Sequence, residues 1–278
     1  MEKPPMDKIQ ILLTNDDGIN SPGLWAAAEA LSVLGFVHVT APRQQYSGAG
    51  RSLPSTSDGI IKALTVTVDG IDWTVYSVGG SPAQAVQHAI IEILPQKPDL
   101  VVSGINFGEN VGSGITISGT VGAALEAASQ GIPSLAVSLE TDPIHHYSED
   151  KHSEVDFSAA AYFTQYFAHL MLEKQMPEDV DVLKIDVPSD ATPETPWVTT
   201  RLMKARYYDL TPPSRTSWEQ PGLVGYHNLP DEYYTPGTDA HTVRVARKVS
   251  VTPLSLDMTS RLDLQALERY LKDAGEMP

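Results

Sequence analysis

Two adjacent acidic side chains, Asp16 and Asp17, come shortly after the apolar run at residues 9–13, with Thr14 and Asn15 between. A run of this length and composition is typical of a strand that is buried on both faces, as in a parallel sheet. Two carboxylates at the end of such a strand lose hydration, and each raises the proton affinity of the other. A bound divalent cation removes both costs, and carboxylate oxygens suit a hard metal. The pair therefore indicates a metal site, with a solvated Asp-Asp-Gly turn as the alternative.

The residues after the acidic pair predict a turn and then a capped helix. Gly18 allows a tight turn. Ser21 stands at the N-cap position and Pro22 at the first helical position, so the helix is expected over about residues 22–34. Ligands of open α/β sheets bind at the carboxyl ends of the strands. The turn places the acidic pair at that end of the sheet.

Two further polar segments are expected at strand ends. The loop at residues 43–52 contains two glycines, two serines and two arginines, and residues 41–57 contain no acid. Hydroxyls and backbone N–H groups of such a loop, which includes Ser47, favour phosphate binding, with an ordinary flexible loop as the alternative. The buried strand predicted at residues 99–106 ends at Asn106. The three polar strand ends are expected to meet in one crevice of the sheet.

Hydroxyl side chains also precede an alanine-rich helix that is predicted over residues 121–130. Ser118 and Thr120 are capping residues in the simplest interpretation. They would also direct hydroxyls and unpaired N–H groups toward an anion. The Gly-x-Gly pair just before them is not a dinucleotide-binding fingerprint, because Ile117 stands where the third glycine is required.

Strands and helices alternate through the first two thirds of the chain, and this pattern predicts an α/β fold. The expected architecture is a Rossmann-like three-layer α/β/α sandwich with a mostly parallel sheet. Alternating apolar residues at 60–68 and 73–78 predict a hairpin within it. We expect residues 1–187 to form this core and to carry the metal and phosphate site.

The composition shifts after residue 187, where prolines divide the chain into short pieces. Residues 188–278 are predicted to be a C-terminal β-rich arm that serves oligomerisation and is not an independent domain. Extended segments are expected at residues 197–208 and 242–252, and a final helix at residues 263–273. The arm is too thin to bury its own apolar residues by itself.

The overall charge opposes several classes of partner. The chain of 278 residues has 19 basic and 35 acidic side chains, a formal net charge of −16. This charge opposes binding to nucleic-acid polymers and to anionic membranes, but it allows a small phosphorylated substrate where a metal or local arginines reverse the sign of the charge. No cysteine is present, so thiolate catalysis and disulfides are excluded. No signal-peptide core or membrane-spanning run occurs, which predicts a cytoplasmic protein.

Several motifs in this order resemble those of the survival protein E (SurE) family of metal-dependent nucleotidases. The resemblance extends over roughly residues 9–260. The matching segments are ILLTNDDGINSPG, APRQQYSGAGRS, PDLVVSGIN with GENVG, SGTVGAALEAASQGIPSLAVSL and VSVTPLSLDMT. The chain departs from the family pattern at Phe107, where a histidine is common, and at Ile117, where an aromatic residue is common. These two departures affect the expected substrate preference more than the chemistry.

The resemblance implies an activity and an assembly. Members of this family hydrolyse phosphate from nucleoside 5′- and 3′-monophosphates, and some act on short polyphosphate. Their fold is an α/β sandwich whose C-terminal arm is exchanged between subunits. A homodimer or homotetramer is therefore expected, together with a nucleoside monophosphate substrate.

The resemblance also implies roles for individual residues. The metal ligands would be Asp16, Asp17, Ser47 and Asn106, which hold one divalent cation per subunit. Mg²⁺ or Mn²⁺ is favoured and Ca²⁺ is the second choice. Asp16 and Asp17 are also the expected catalytic residues, because either carboxylate could assist proton removal. The residues that would line the phosphate pocket are Asn15, Gly48, Ser118, Gly119 and Thr120.

Two other functions remain open at this point. One is a non-catalytic nucleotide- or phosphate-binding sensor on the same fold. The other is a glycosyl-transferring α/β enzyme that uses the acidic pair to hold a metal–nucleotide. Release of phosphate from a simple phosphomonoester distinguishes the phosphatase from both.

Overall fold

The computed structural model describes residues 8–68, 70–142 and 155–273. Eleven β-strands lie within these residues. Their bounds are β1 Gln10–Thr14, β2 Phe36–Pro42, β3 Ile61–Val68, β4 Ile71–Val78, β5 Leu100–Phe107, β6 Ser134–Leu139, β7 Val182–Val187, β8 Trp197–Thr199, β9 Tyr208–Thr211, β10 Gly225–Asn228 and β11 Val249–Leu254.

The same residues form six α-helices and three shorter helical turns. The α-helices are α1 Pro22–Ser32, α2 Pro82–His88, α3 Gly119–Ser129, α4 Ser158–Glu173, α5 Asp239–Arg244 and α6 Leu264–Asp273. A π-helical turn at Ala89–Ile93 continues α2, and 3-10 turns occupy Gly112–Ile117 and Asp231–Tyr233. None of the described helices has the length and apolarity needed to cross a bilayer.

Nine strands form one sheet in the order β3-β4-β2-β1-β5-β6-β7-β11-β8. β1 lies near the middle and pairs in parallel with β2 and β5, and β5, β6 and β7 continue the parallel order. Because these strands are all parallel, their carboxyl ends lie at one edge of the sheet. The predicted Rossmann-like α/β architecture is confirmed.

Both ends of the sheet contain antiparallel pairs. The predicted hairpin is present as β3 and β4, which pair along their whole length. At the other end, β11 runs antiparallel to β7, and β8 is parallel to β11. Residues after 187 therefore supply two strands of the main sheet, while β9 and β10 form a separate two-stranded sheet.

Helices cover both faces of the sheet because the side chains of its strands alternate. Ile11 and Leu13 of β1 point into a core that is shared with α1 and α4. Leu12, between them, packs on the opposite face with α2 and α3. All three side chains are fully buried. This alternation produces the predicted three layers.

The predicted extended segment at residues 242–252 is wrong over its first half. Helix α5 ends at Arg244, and β11 does not begin until Val249. The side-chain oxygen of Thr238 accepts a hydrogen bond from the N–H of His241, which caps α5. The β-branched residues of this segment indicated a strand, but the capping signal before them starts a helix.

The predicted strand at residues 197–208 is also much shorter in the structure. Only Trp197–Thr199 pairs with β11, and the next strand starts at Tyr208.

The N-cap prediction for Ser21 is correct in position only, because its side chain makes no capping hydrogen bond.

Candidate metal and phosphate site

Asp16 lies two residues after β1 and places its carboxylate at the N-terminus of α3. The Thr120 hydroxyl donates a hydrogen bond to Asp16 Oδ1, and the N–H groups of Gly119 and Thr120 also face this carboxylate. A Cβ added at Gly119 would lie 2.7 Å from the Asp16 Cβ and 2.8 Å from its Oδ2. Glycine is therefore required there for the carboxylate to approach the helix.

Asp17 connects the ends of two other strands. Gln45 Nε2, in the loop after β2, donates to Asp17 Oδ1 at 3.1 Å. The backbone N–H of Phe107, the last residue of β5, donates to Asp17 Oδ2 at 3.1 Å. The predicted meeting of the three polar strand ends is thus present in the structure.

The two carboxylates form a costly electrostatic arrangement. Burial raises the pKa of Asp16, although hydrogen bonds from Thr120 and nearby N–H groups act in the opposite direction. Burial, and then the adjacent charge of Asp16, raise the pKa of Asp17 well above its usual value. The described side chains that donate to the pair, those of Thr120 and Gln45, are both neutral.

Asn15 closes the turn that carries the acidic pair. Its Nδ2 donates to the Gly18 carbonyl and its Oδ1 accepts from the Gly18 N–H, both at 3.1 Å. Gly18 has a φ of +92°, a conformation that side chains rarely adopt. Because both polar atoms of its side chain are used here, Asn15 orients Asp16 and Asp17, and its expected contact with phosphate stays a prediction.

Asn106 presents an oriented amide oxygen near the end of β5. The register of β5 on β6 shifts between Ser103 and Asn106, which changes the direction of the strand end. Asn106 Nδ2 donates to the carbonyls of Phe107 and Gly108, at 3.1 Å and 2.7 Å. These bonds leave Oδ1 as the acceptor of this side chain, the kind of oxygen that hard cations bind.

Ser47 and Gly48 lie in an exposed part of the loop after β2. The backbone N–H of Tyr46 donates to the Asp16 carbonyl at 2.7 Å, which brings the loop against the acidic turn. Gly48 has a φ of +76°, and a Cβ there would meet no atom within 4 Å. Glycine is therefore favoured at this position by its backbone conformation and not by crowding. The space beside Ser47 is open.

The three residues at the start of α3 already have partners inside the protein. The Ser118 hydroxyl accepts from the Val121 N–H at 3.1 Å and caps the helix, as its simplest interpretation predicted. Gly119 and Thr120 contact Asp16. The anion at this helix end is thus the Asp16 carboxylate, and the expected phosphate contacts of these residues stay predictions.

Both arginines of the loop are paired with carboxylates in other parts of the fold. Arg43 Nη2 lies 2.9 Å from Asp58 Oδ2, and Arg51 Nε lies 2.8 Å from Glu126 Oε2. Both partners are distant in sequence, so the lack of acids within the loop did not reveal them. The loop therefore offers hydroxyl and N–H groups to a ligand, but no unpaired arginine.

A cation at this position would be held by oxygens alone. The expected donors would be the carboxylates of Asp16 and Asp17, the Asn106 amide oxygen and the Ser47 hydroxyl. Elsewhere too, the described residues contain no group of three or more His, Cys, Asp or Glu side chains arranged for a metal. The two carboxylates with neutral oxygens fit a hard divalent cation.

Comparison with known proteins identifies the family. A family model described as Survival protein SurE matches residues 11–209. A 5′-nucleotidase SurE of Thermococcus gammatolerans is 44% identical over 95% of this chain and 96% of its own length. The chain belongs to the SurE family. A second SurE relative, from Methanocella arvoryzae, is 39% identical over 95% of this chain. The crystal structure of the SurE protein from Aquifex aeolicus matches with a TM-score of 0.72 at 33% identity. This match covers 95% of this chain and 100% of the Aquifex aeolicus chain.

In this SurE chain, sequence reasoning missed a buried ionic network behind the site. Lys184 of β7 pairs with Asp186 on the same strand and with Asp239 at the start of α5, and all three side chains are fully buried. Asp186 accepts from the Asn110 N–H at 2.8 Å, and Asp239 accepts from the Gly112 N–H at 2.9 Å. The network anchors the glycine-rich segment between Asn106 and α3. Its signal was a lysine and an aspartate inside an otherwise apolar strand.

Proposed function

We propose that this SurE protein is a divalent-metal-dependent phosphomonoesterase that hydrolyses nucleoside 5′- and 3′-monophosphates to nucleoside and phosphate. The observation that carries the proposal is the buried Asp16–Asp17 pair, whose described side-chain donors are all neutral. Without a cation this arrangement would repel a phosphate dianion. With one, the same carboxylates become its ligands.

The nucleotide as substrate is supported by the relatives. Those from Thermococcus gammatolerans and Methanocella arvoryzae, at 44% and 39% identity, both carry the name 5′-nucleotidase. The activity on 3′-monophosphates and on short polyphosphate is our extension of the family resemblance. The departures at Phe107 and Ile117 make base preference the property most open to change.

One divalent cation per subunit, Mg²⁺ or Mn²⁺ before Ca²⁺, completes the proposed site. Asp16, Asp17, Ser47 and Asn106 would hold it. When bound, the cation supplies Lewis acidity that neutralises phosphate charge and lowers the pKa of water.

The chain itself supplies orientation and a proton acceptor. The Thr120 bond to Asp16 and the Gln45 bond to Asp17 fix the two carboxylates. Either carboxylate can take a proton from the attacking water as a general base. The open space beside Gly48 and the start of α3 at residues 118–120 are proposed to receive the phosphate oxygens.

The proposed partners follow from charge and from the resemblance. We propose a homodimer or homotetramer in the cytoplasm, with no nucleic-acid polymer or membrane as partner. The formal charge of −16 opposes both of those surfaces.

Phosphate release from a panel of nucleoside 5′- and 3′-monophosphates and short polyphosphates tests this function. Protein treated with chelator is expected to be inactive, and Mg²⁺ or Mn²⁺ should restore release. Full activity in demonstrably metal-free protein would overturn the metal dependence.

The same panel separates the alternative functions. A non-catalytic sensor would bind nucleotide in equilibrium dialysis and release no phosphate at any metal concentration. The polyphosphate arm decides whether the site accepts substrates that lack a nucleoside.

A further inference from the structure

We propose that Arg51 is a positioning residue for the metal site. Through its ion pair with Glu126 on α3, it holds the loop of Ser47 in register with Asp16. The inference rests on the proposed function, in which both Ser47 and Asp16 bind the cation. It concerns two residues that lie outside the proposed ligand set.

The loop runs along one face of α3 in direct backbone contact. The Gly50 N–H donates to the Ile117 carbonyl at 2.9 Å, just before the helix starts. One turn into the helix, a Cβ added at Gly122 would lie 2.4 Å from the Gly50 carbonyl oxygen and 2.6 Å from the Arg51 nitrogen. The absence of a side chain at Gly122 therefore lets the loop backbone lie on the helix.

The next turn of the same helix face carries the ion pair. Glu126 follows Gly122 by four residues, and positions four apart lie on one helix face. Arg51 Nε donates to Glu126 Oε2 at 2.8 Å, and Arg51 Nη2 donates to the Ser129 hydroxyl at 2.7 Å. The guanidinium thus contacts two residues of α3, Glu126 and Ser129.

Glu126 is a buried carboxylate whose second oxygen is also occupied. Its side chain is 5% exposed, and Gln87 Nε2 of α2 donates to Oε1 at 2.9 Å. Among the described side chains, Arg51 is the cation paired with it. A buried carboxylate that accepts hydrogen bonds at both oxygens makes a rigid anchor for the loop.

Helix α3 therefore sets the positions of two proposed ligands at once. Its first turn binds the Asp16 carboxylate through Thr120, and its flank binds the loop four residues after Ser47. Ser47 and Gly48 are themselves exposed. The ion pair is thus the charged contact that joins the loop carrying Ser47 to the helix that binds Asp16.

A loss of this anchor should appear first in metal affinity. Groups that orient metal ligands commonly change affinity or activity about 10- to 100-fold when they are removed. We expect Arg51→Gln to weaken Mn²⁺ binding by about 10-fold or more, measured from the paramagnetic resonance signal of unbound Mn²⁺. Elevated Mn²⁺ should restore much of kcat, since the ligands themselves remain.

Arg43→Gln is the matched control. Arg43 lies at the start of the same loop and pairs with an exposed aspartate, Asp58, which is not on α3. This variant removes the same charge from the loop, so it should bind Mn²⁺ within about 2-fold of the unmodified protein. An equal loss in both variants would mean that loop charge alone sets the affinity, and would overturn the positioning role.

A double-mutant cycle with Ser47→Ala separates positioning from general destabilisation. If Arg51 acts through Ser47, Arg51→Gln should cause little further loss of Mn²⁺ affinity in the Ser47→Ala background. Equal losses in both backgrounds would contradict the proposal. If Arg51→Gln does not fold, Arg51→Lys keeps the charge but not the two-pronged contact, and should show a smaller loss with the same dependence on Ser47.

The outcomes separate this inference from the proposed function. Normal Mn²⁺ affinity in folded Arg51→Gln overturns the positioning role and leaves the metal-dependent phosphatase standing. Failure of the unmodified protein to bind Mn²⁺ overturns both.

Discussion

Asp16 and Asp17 are neighbours in the chain, but different elements hold them. Asp16 is bound by Thr120 and by the N–H groups at the start of α3, which stabilise its charged form. Asp17 is bound by the Gln45 amide and the Phe107 N–H, and its pKa is raised by burial and by the charge of Asp16. The loss of either charge should therefore affect catalysis similarly and stability differently.

Replacing either residue with asparagine should reduce phosphate release by about 100-fold or more, roughly 2.7 kcal/mol of transition-state stabilisation. Each of Asp16→Asn and Asp17→Asn removes one negative charge from the proposed ligands of the cation. Steady-state phosphate release at saturating Mn²⁺ measures the effect. Wild-type turnover in both variants would mean that the acidic pair shapes the turn and takes no part in the chemistry.

The same variants should separate stability from activity. Metal-free Asp17→Asn should be as stable as the unmodified protein or more stable, because a costly buried charge is gone. The rise in melting temperature on adding Mn²⁺ should shrink, since fewer charged ligands bind the cation. Thermal melts with and without Mn²⁺ provide the test.

Glu109 is a buried acid near the site that the proposed mechanism does not use. The Tyr208 hydroxyl donates to its Oε1 at 3.0 Å, and Tyr207 also faces this carboxyl. Burial, with a contribution from nearby Glu140, raises the pKa of Glu109 to about 7 from an ordinary value of 4.5. The folded protein therefore holds this proton more tightly than the unfolded chain does.

The stability should consequently depend on pH through Glu109. Its stabilising contribution is present below about pH 4.5 and is lost as the pH rises through about 7. As the pH rises from 5 to 8, the unmodified protein loses this contribution and Glu109→Gln does not. The free energy of unfolding of Glu109→Gln should therefore rise relative to that of the unmodified protein, by up to about 3 kcal/mol. Urea unfolding at the two pH values measures the gain, with Glu194→Gln as an exposed control. A pH-independent difference would contradict the assignment.

At the level of elements, helix α3 positions two parts of the site, although it supplies none of the proposed metal ligands. Its first turn receives the Asp16 carboxylate, and its flank receives the loop of Ser47 through Gly122 and Glu126. A helix N-terminus favours negative charge because its N–H groups are unpaired. Here that preference is met by a side chain of the protein itself.

Gly119→Ala should therefore damage the site with little effect on the helix. Alanine favours a helix, but its Cβ would lie 2.7 Å from the Asp16 Cβ and force that side chain away. We expect kcat/KM to fall by about 10- to 100-fold and stability to fall by about 1–3 kcal/mol. Gly114→Ala, where a Cβ would meet nothing within 4 Å, is the control. Equal activities of the two variants would rule out this role of Gly119.

At the level of the whole molecule, the C-terminal residues are built into the core. Asp239 accepts from the N–H groups of Gly112 and Met203 and pairs with Lys184, while β11 lies inside the main sheet between β7 and β8. Removing one partner of a buried ion pair commonly costs about 3–5 kcal/mol. A truncation after residue 210 would therefore unfold the core and cannot test assembly.

Surface substitutions on the arm test assembly without disturbing that core. Trp218 and Leu223, between β9 and β10, are 89% and 93% exposed, and α6 buries none of its side chains. We expect a homodimer or larger in light scattering, and a dissociation constant raised about 10-fold or more by Trp218→Ser with Leu223→Ser. Ile91→Ser, at an exposed isoleucine outside the arm, should leave assembly unchanged. A monomeric unmodified protein at micromolar concentration would contradict the proposed oligomer.

The sequence predicted the features that depend on local chemistry and on periodicity. Buried strands read as continuous apolar runs, so the parallel sheet and its polar strand ends at Asp17 and Asn106 were predictable. Ser118 was recognised as a helix cap from its position alone. These properties depend on residues that are near each other in the chain.

Contacts between distant residues were beyond such reasoning. The Ser47 loop, which contains two arginines, was expected to favour phosphate, yet Arg51 is paired with Glu126, 75 residues away. Lys184 is likewise neutralised by Asp239, and the first-turn N–H groups of α3 are used by Asp16. The charge that a side chain presents to a ligand depends on which opposite charges the fold brings beside it. Pairing across the fold is set by packing, which leaves no periodic trace in the sequence.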